Sequence, residues 1–194
     1  MKPEPASEAD RFLELLRPIE RDLELYCRRL IWDPQETLAA IQNAVLRAFA
    51  AFDRYHADAS FRAWLFKILT REVLTLNRKH ARIALHEFQL EPHELEQLAW
   101  SEPPDKTTDI TPAFAELGET LSEPLMSALK TLSDNERAVL LLRAIANLRY
   151  REIAETLEIP IGSVMAYLAR ARQKMRAAIA RANMPNPRPK GGNL

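Results

Sequence analysis

Cysteine is nearly absent from this chain: Cys27 is the single example in 194 residues. A lone thiol excludes an internal disulfide and any multi-cysteine zinc site, and it fits a reducing compartment. Glycine is almost as scarce, with four, and no glycine-rich loop of the kind that cradles phosphate is present. Runs of β-branched residues are few, while Leu, Ala, Arg and Glu abound, so an all-α fold is expected. No apolar stretch reaches the ~20 residues of a membrane span and no leader peptide is legible, so a cytoplasmic protein that makes no membrane contact is expected. No nucleophile–base constellation appears, which argues against an enzyme and leaves no cofactor to expect. His86 and His93 with Glu87, Glu91 and Glu94 could be gathered into a metal site, but their spacing fits no established ligand motif.

Charge of one sign is lacking overall, since the net charge is zero. Along the chain it is segregated. Residues 1–85 carry 14 Lys/Arg against 12 Asp/Glu, residues 86–129 one against 10, and residues 130–194 12 against five. A basic C-terminal part is the electrostatic footprint of a polyanion binder. The acidic middle, with Pro92, Pro103, Pro104 and Pro112, reads as a linker over 86–120 with a weak helical period near 93–100. It is either a solvated connector or a mimic of nucleic acid within a basic channel. These shifts divide the chain into 1–85, the linker, 121–184 and a Pro/Gly-rich tail at 185–194 that is expected to be disordered.

The most informative run is RYREIAETLEIPIGSVMAYLARARQKMR at 149–176. It reads as an amphipathic helix, a tight turn at Glu158–Pro160, and a second helix with one apolar stripe. At about 100° per residue, Val164, Leu168, Ala171 and Met175 share a sector and face the protein. Ser163, Ala166, Ala169, Arg170 and Gln173 point away, with Tyr167, Lys174 and Arg176 on the flanks. That is a helix-turn-helix, whose second helix is shaped to enter a major groove. One residue fits poorly: such turns often place Gly, Asn or Asp where Glu158 stands, because the position needs positive φ.

Three helices are expected in the N-terminal part. The first, over 8–31, repeats Phe12, Leu15, Leu16, Ile19, Leu23, Tyr26 and Leu30 at helical spacing. The second starts at Asp33–Pro34, runs to Phe52 and carries Leu38, Ile41, Val45, Leu46 and Phe49. Ser60 then caps a third, in which Phe61, Trp64 and Phe66 alternate with Arg62, Lys67 and Arg71, and which ends on Arg78, Lys79, His80 and Arg82. Rings interleaved with cations suit single-stranded nucleic acid. For Trp64 and Leu65, filling the core is the better reading.

The strings FRAWLFKIL, LSDNERAVLLLRAIANLRYREIAETL and IPIGSVMAYLARAR, in this order around an acidic linker, resemble the extracytoplasmic-function branch of the sigma-70 family. The resemblance covers residues 10–85 (region 2) and 121–182 (region 4). It implies two small helical domains and a bacterial transcription initiation factor that binds core RNA polymerase, directs it to −35/−10 promoter DNA and assists melting. It places the −35 contacts at Arg149, Ser163, Met165, Ala166, Tyr167, Arg170, Gln173 and Lys174. It places the −10 contacts at Tyr55, His56, Ser60, Phe61, Arg62, Trp64, Lys67, Arg71, Arg78 and Lys79. Polymerase contacts fall at Glu36, Gln42, Asn43 and Arg47 toward the β′ coiled coil, and the apolar helix Val139–Ile145 would pack region 4 together and offer a surface to the β flap. An anti-sigma factor is a further implied partner.

The sequence departs from the family in three places. Leu38, Ala39 and Asn43 stand where acids are common, Arg71 and Thr75 where Asn or Asp is frequent, and Tyr167 where Arg is frequent. The lost acids keep an alternative open: a sigma-like helix-turn-helix regulator that binds DNA without acting as a sigma factor.

Overall fold

The computed structural model describes residues 7–56, 60–88 and 123–182, with side chains described for 60–83 and 125–181 in the latter two segments. Most of the expected linker and the tail at 185–194 lie outside the described residues. Among the described residues the structure is helical throughout, in two units.

The N-terminal unit comprises α1 (Glu8–Leu16), α2 (Glu20–Leu30), α3 (Thr37–Ala50) and α4 (Phe61–Phe88). Ser7 and Asp10 open α1 with a reciprocal capping box. The single helix expected over 8–31 is broken: Arg17–Ile19 form a 3-10 turn around Pro18, which has no N–H to continue the ladder and whose ring opposes the carbonyl a turn earlier. The apolar stripe runs across the break, with Phe12, Leu16, Ile19, Leu23, Tyr26 and Leu30 all buried. Leu15, expected in that stripe, is exposed.

α3 presents a different face from the one its large residues suggest. Ala40, Ala44 and Ala48 are buried, whereas Leu38 and Leu46 are each 66% exposed and Phe49 41%. Small side chains at four-residue spacing let α3 lie close against α4, and that close approach displaces the leucines outward. α4 buries Leu65, Phe66, Leu69 and Val73. Two polar groups on α4 are buried with partners. Thr70 Oγ1 meets the Tyr26 hydroxyl at 2.7 Å. Asn77 Nδ2 donates to the Leu30 carbonyl (3.1 Å) and its Oδ1 accepts from the Trp32 backbone N–H (3.0 Å), closing the C-terminus of α2. α4 runs on to Phe88, past the boundary expected at residue 85.

The C-terminal unit comprises α5 (Glu123–Lys130), α6 (Asp134–Ala144), α7 (Tyr150–Leu157) and α8 (Ile161–Ala182). Ser133 and Glu136 form a capping box on α6. Arg137 is buried, donating Nε to the Leu129 carbonyl (3.1 Å) and Nη2 to the Leu132 carbonyl (3.2 Å), so a guanidinium closes the C-terminus of α5. Burial holds its pKa below the usual arginine value. Val139 to Leu142 are fully enclosed. Val139 to Leu142 thus do the packing expected of this segment and offer no surface, while Arg143 is exposed and Ala144 and Ile145 are half-buried.

The two units touch. α2 packs on α6, and α4 packs on α7. Trp32 Nε1 donates to Asp134 Oδ1 at 3.0 Å across that boundary.

Candidate nucleic-acid interface

The stripe on α8 turns inward as its period requires: Val164, Leu168, Ala171 and Met175 are at most 2% exposed. α7 ends at Glu158, whose φ of 56° and ψ of 43° are left-handed. The turn thus demands the positive φ that Gly or Asn usually supplies, and Glu158 adopts it despite its Cβ. The chain then enters α8 directly after Pro160, which has no N–H to leave unpaired.

On the outer side of α8, Met165 is half exposed and Gln173 exposed, while Ser163, Ala166 and Tyr167 are half-buried. Arg149 is exposed at the start of α7, where its backbone N–H donates to Glu152 Oε2 at 2.7 Å. Arg170 and Lys174 do not stand free. Lys174 Nζ lies 2.7 Å from Glu136 Oε2, and Arg170 Nε 3.5 Å from Glu136 Oε1. The Arg170 guanidinium also lies over the Tyr167 ring, 4.9 Å from its centroid.

The aromatic positions of the N-terminal unit gather into one cluster. Phe52 and Tyr55 stack at 5.7 Å, and Trp64 lies 5.3 Å from Tyr55 and 5.7 Å from Phe61. Phe61 is 7% exposed and also meets Phe12 edge-on. It is a core residue, too enclosed to meet a base as the sequence suggested. Trp64 and Tyr55 are half-buried at the cluster's edge, with His56 exposed beside them. Ser60 caps α4, accepting from the Ala63 backbone N–H at 3.3 Å.

The cations of α4 are engaged by acids that the sequence gave no reason to pair with them. Arg62 Nη1 donates to Asp22 Oδ2 (2.6 Å) and to the Ala146 carbonyl (3.4 Å). Lys67 Nζ lies 3.3 Å from Glu158 Oε1, and Arg71 Nη2 pairs with the same oxygen. These two cations hold the Glu158 carboxyl below its ordinary pKa, Arg71 contributing most. Further along, Arg78 and Lys79 are exposed, with Arg78 Nε folded back on the Leu74 carbonyl at 3.0 Å.

In the N-terminal unit, Gln42, Asn43 and Arg47 line the exposed side of α3. Asn43 Nδ2 reaches Glu72 Oε1 at 3.4 Å and Arg47 Nη1 reaches Glu72 Oε2 at 3.2 Å. Glu36 meets His80 Nε2 at 2.8 Å. Between α2 and α3 lies a groove of about 620 Å³ lined by Leu16, Leu23, Leu38, Ile41 and Val45. The acids Asp22, Glu72, Glu136 and Glu158 were not legible as site residues, because each lies far in sequence from the cation it meets. Of the residues named for a metal site, none has a described side chain. No described helix is long and apolar enough to cross a membrane.

Known proteins give this arrangement a place. Residues 15–83 match sigma-70 region 2, and residues 122–175 match sigma-70 region 4. The chain is 29% identical over 184 residues to the ECF RNA polymerase sigma factor SigG of Mycobacterium tuberculosis, covering 89% of this chain and 50% of that protein. It is 26% identical to SigW of Bacillus subtilis, covering 86% of this chain and 88% of the relative. The chain therefore spans about half the length of SigG but most of SigW. Among solved structures, the sigma factor RpoE of Bartonella quintana, in complex with the anti-sigma factor NepR, superposes with a TM-score of 0.66 at 19% identity, covering 88% of this chain and 97% of that one. CnrH, in complex with the cytosolic domain of CnrY, gives a TM-score of 0.59 at 23% identity, covering 89% of each chain. The match of both regions, in order and with the all-helical fold they require, makes this chain a member of the sigma-70 family.

Proposed function

We propose that this chain is an alternative sigma factor of the bacterial cytoplasm, which binds core RNA polymerase, directs it to −35/−10 promoters and assists strand opening. The observation that carries the reading is the presence of both promoter-reading modules in one chain, region 2 at 15–83 and region 4 at 122–175. In this reading α8 enters the −35 major groove with Ser163, Met165, Ala166, Tyr167, Arg170, Gln173 and Lys174 toward the bases and phosphates, supported by Arg149. The edge of the aromatic cluster at Tyr55 and Trp64, with His56 and the cations Arg62, Lys67, Arg71, Arg78 and Lys79, faces the single-stranded −10 element. Core polymerase docks through its β′ coiled coil on α3, where Gln42, Asn43 and Arg47 flank the exposed Leu38 and Leu46, and through its β flap on the C-terminal unit. An anti-sigma factor is the natural regulator, since RpoE and CnrH were each captured with a partner.

The test is transcription in vitro. Core polymerase with this chain added should yield run-off product from a promoter carrying the DNA it selects, and none without it. Binding to duplex DNA with no association to core polymerase would leave the second reading, a regulator that is sigma-like in fold only. Leu38, Ala39 and Asn43 on α3, where the family favours acids, keep that reading in view.

A further inference from the structure

Glu136 is the third residue of α6, and its side chain is 5% exposed. Its Oε2 accepts from the Ser133 backbone N–H at 3.0 Å, completing the capping box. A glutamine would serve that box equally, so the cap does not require a charge. A buried carboxylate does require compensation, and Glu136 finds it in two cations of α8, Lys174 at 2.7 Å and Arg170 at 3.5 Å. Arg170 is flanked from two sides: the Tyr167 ring lies 4.9 Å from the guanidinium carbon, and Glu136 Oε1 stands 3.5 Å from Nε, close enough for charge attraction without a hydrogen bond. The two terminal amino groups of Arg170 carry no protein partner among the described residues. That half of the guanidinium is the half that reads guanine O6 and N7 in a bidentate pair.

We propose that Glu136 is a positioning residue for −35 recognition. By attracting Arg170 at its Nε side, it biases the side chain toward presenting the terminal amino groups as a fork and reduces the rotamer entropy lost on binding. By neutralising Lys174 it lowers the purely electrostatic share of affinity, so that binding depends more on sequence. This rests on the sigma-factor reading, in which α8 enters the groove.

The test uses the full chain bound to core RNA polymerase and a library of duplexes with a randomised segment. Wild type selects a sequence, and the ratio of its Kd for a scrambled duplex to that for the selected one measures selectivity. E136Q keeps the cap and removes the charge. It should reduce the ratio at least about fivefold, the lower end of what a bidentate arginine–guanine pair contributes. It should also tighten binding to the scrambled duplex and steepen its salt dependence. A merely structural role would instead lower the melting temperature and weaken both duplexes alike, leaving the ratio unchanged; that result overturns the proposal.

R170K, on the half-exposed side of α8, keeps the charge without the Nε–carboxylate pair and should lose the same selectivity. No loss in R170K overturns the proposal whatever E136Q does. If R170A reduces selectivity while E136Q and R170K do not, α8 still reads DNA and the positioning role fails. If wild type selects no duplex sequence, the −35 reading itself fails, and the proposal with it.

Discussion

Glu158 ends α7 in a left-handed conformation and sets its carboxylate on Lys67 and Arg71 of α4. One residue thus forms the turn of the helix-turn-helix and occupies two cations assigned to −10 contact. Together with Arg62 on the Ala146 carbonyl and Trp32 on Asp134, it ties the two units into a closed arrangement in which Arg62, Lys67 and Arg71 of α4 are engaged internally. If α4 meets the −10 element as proposed, these pairs must part.

Exposed ion pairs contribute little singly, so removing Glu158 biases opening rather than unfolding the protein. Glu158→Ala should enlarge the radius of gyration measured by small-angle scattering and tighten binding of a single-stranded oligonucleotide to the freed Lys67 and Arg71. Raising salt on wild type should enlarge the radius in the same way. An unchanged radius in both would show that apolar packing between α2 and α6 alone sets the closed form.

The same pair responds to pH. The Glu158 carboxyl is held below its ordinary pKa in the closed form, so the contribution is complete above the ordinary carboxylate value and disappears as pH falls through the lowered one. Scattering between pH 7 and pH 3 should show the closed form persisting to near the ordinary carboxylate range and opening below it. Glu158→Gln should remove that step in the profile.

Asn77 joins two segments through a single buried amide. Asn77→Ala leaves the Leu30 carbonyl and the Trp32 N–H without it and should cost about 2–3 kcal/mol in denaturant unfolding. Asn77→Asp should rescue little, since its second oxygen would face the Leu30 carbonyl where a donor is needed.

Leu141 is 0% exposed at the centre of α6. Leu141→Ala should destabilise the C-terminal unit by about 2–5 kcal/mol, measured by chemical denaturation. Duplex binding should fall in proportion to the unfolded fraction, and the selected sequence should not change.

Cys27 is buried, and burial pushes its thiol up to about 12. The native protein should therefore react with a thiol reagent at pH 8 at least ~100-fold more slowly than the unfolded chain, since the thiolate is the reacting species. Rapid native labelling would show that α2 opens locally.

The sequence by itself determined the helical class, the two-unit order and the inward stripe of α8. These follow from local periodicity and capping, which a helix satisfies whatever surrounds it: Val164, Leu168, Ala171 and Met175 face inward because 3.6 residues make a turn. Ser7, Ser60 and Ser133 cap helices by the same local logic. The face of α3 was decided elsewhere. Of the five large residues at helical spacing, Ile41 and Val45 pack half-buried against the core and Leu38, Leu46 and Phe49 are exposed, because the close approach to α4 selected Ala40, Ala44 and Ala48, a choice that needs the neighbouring helix. The break at Pro18 was written locally, yet one continuous apolar stripe concealed it. Only the tertiary structure decided which acid meets which cation, because Glu136 with Lys174 and Glu158 with Arg71 lie 38 and 87 residues apart. Charge attraction carries no period along a chain. It is read only where the fold has already brought the partners within a few ångströms.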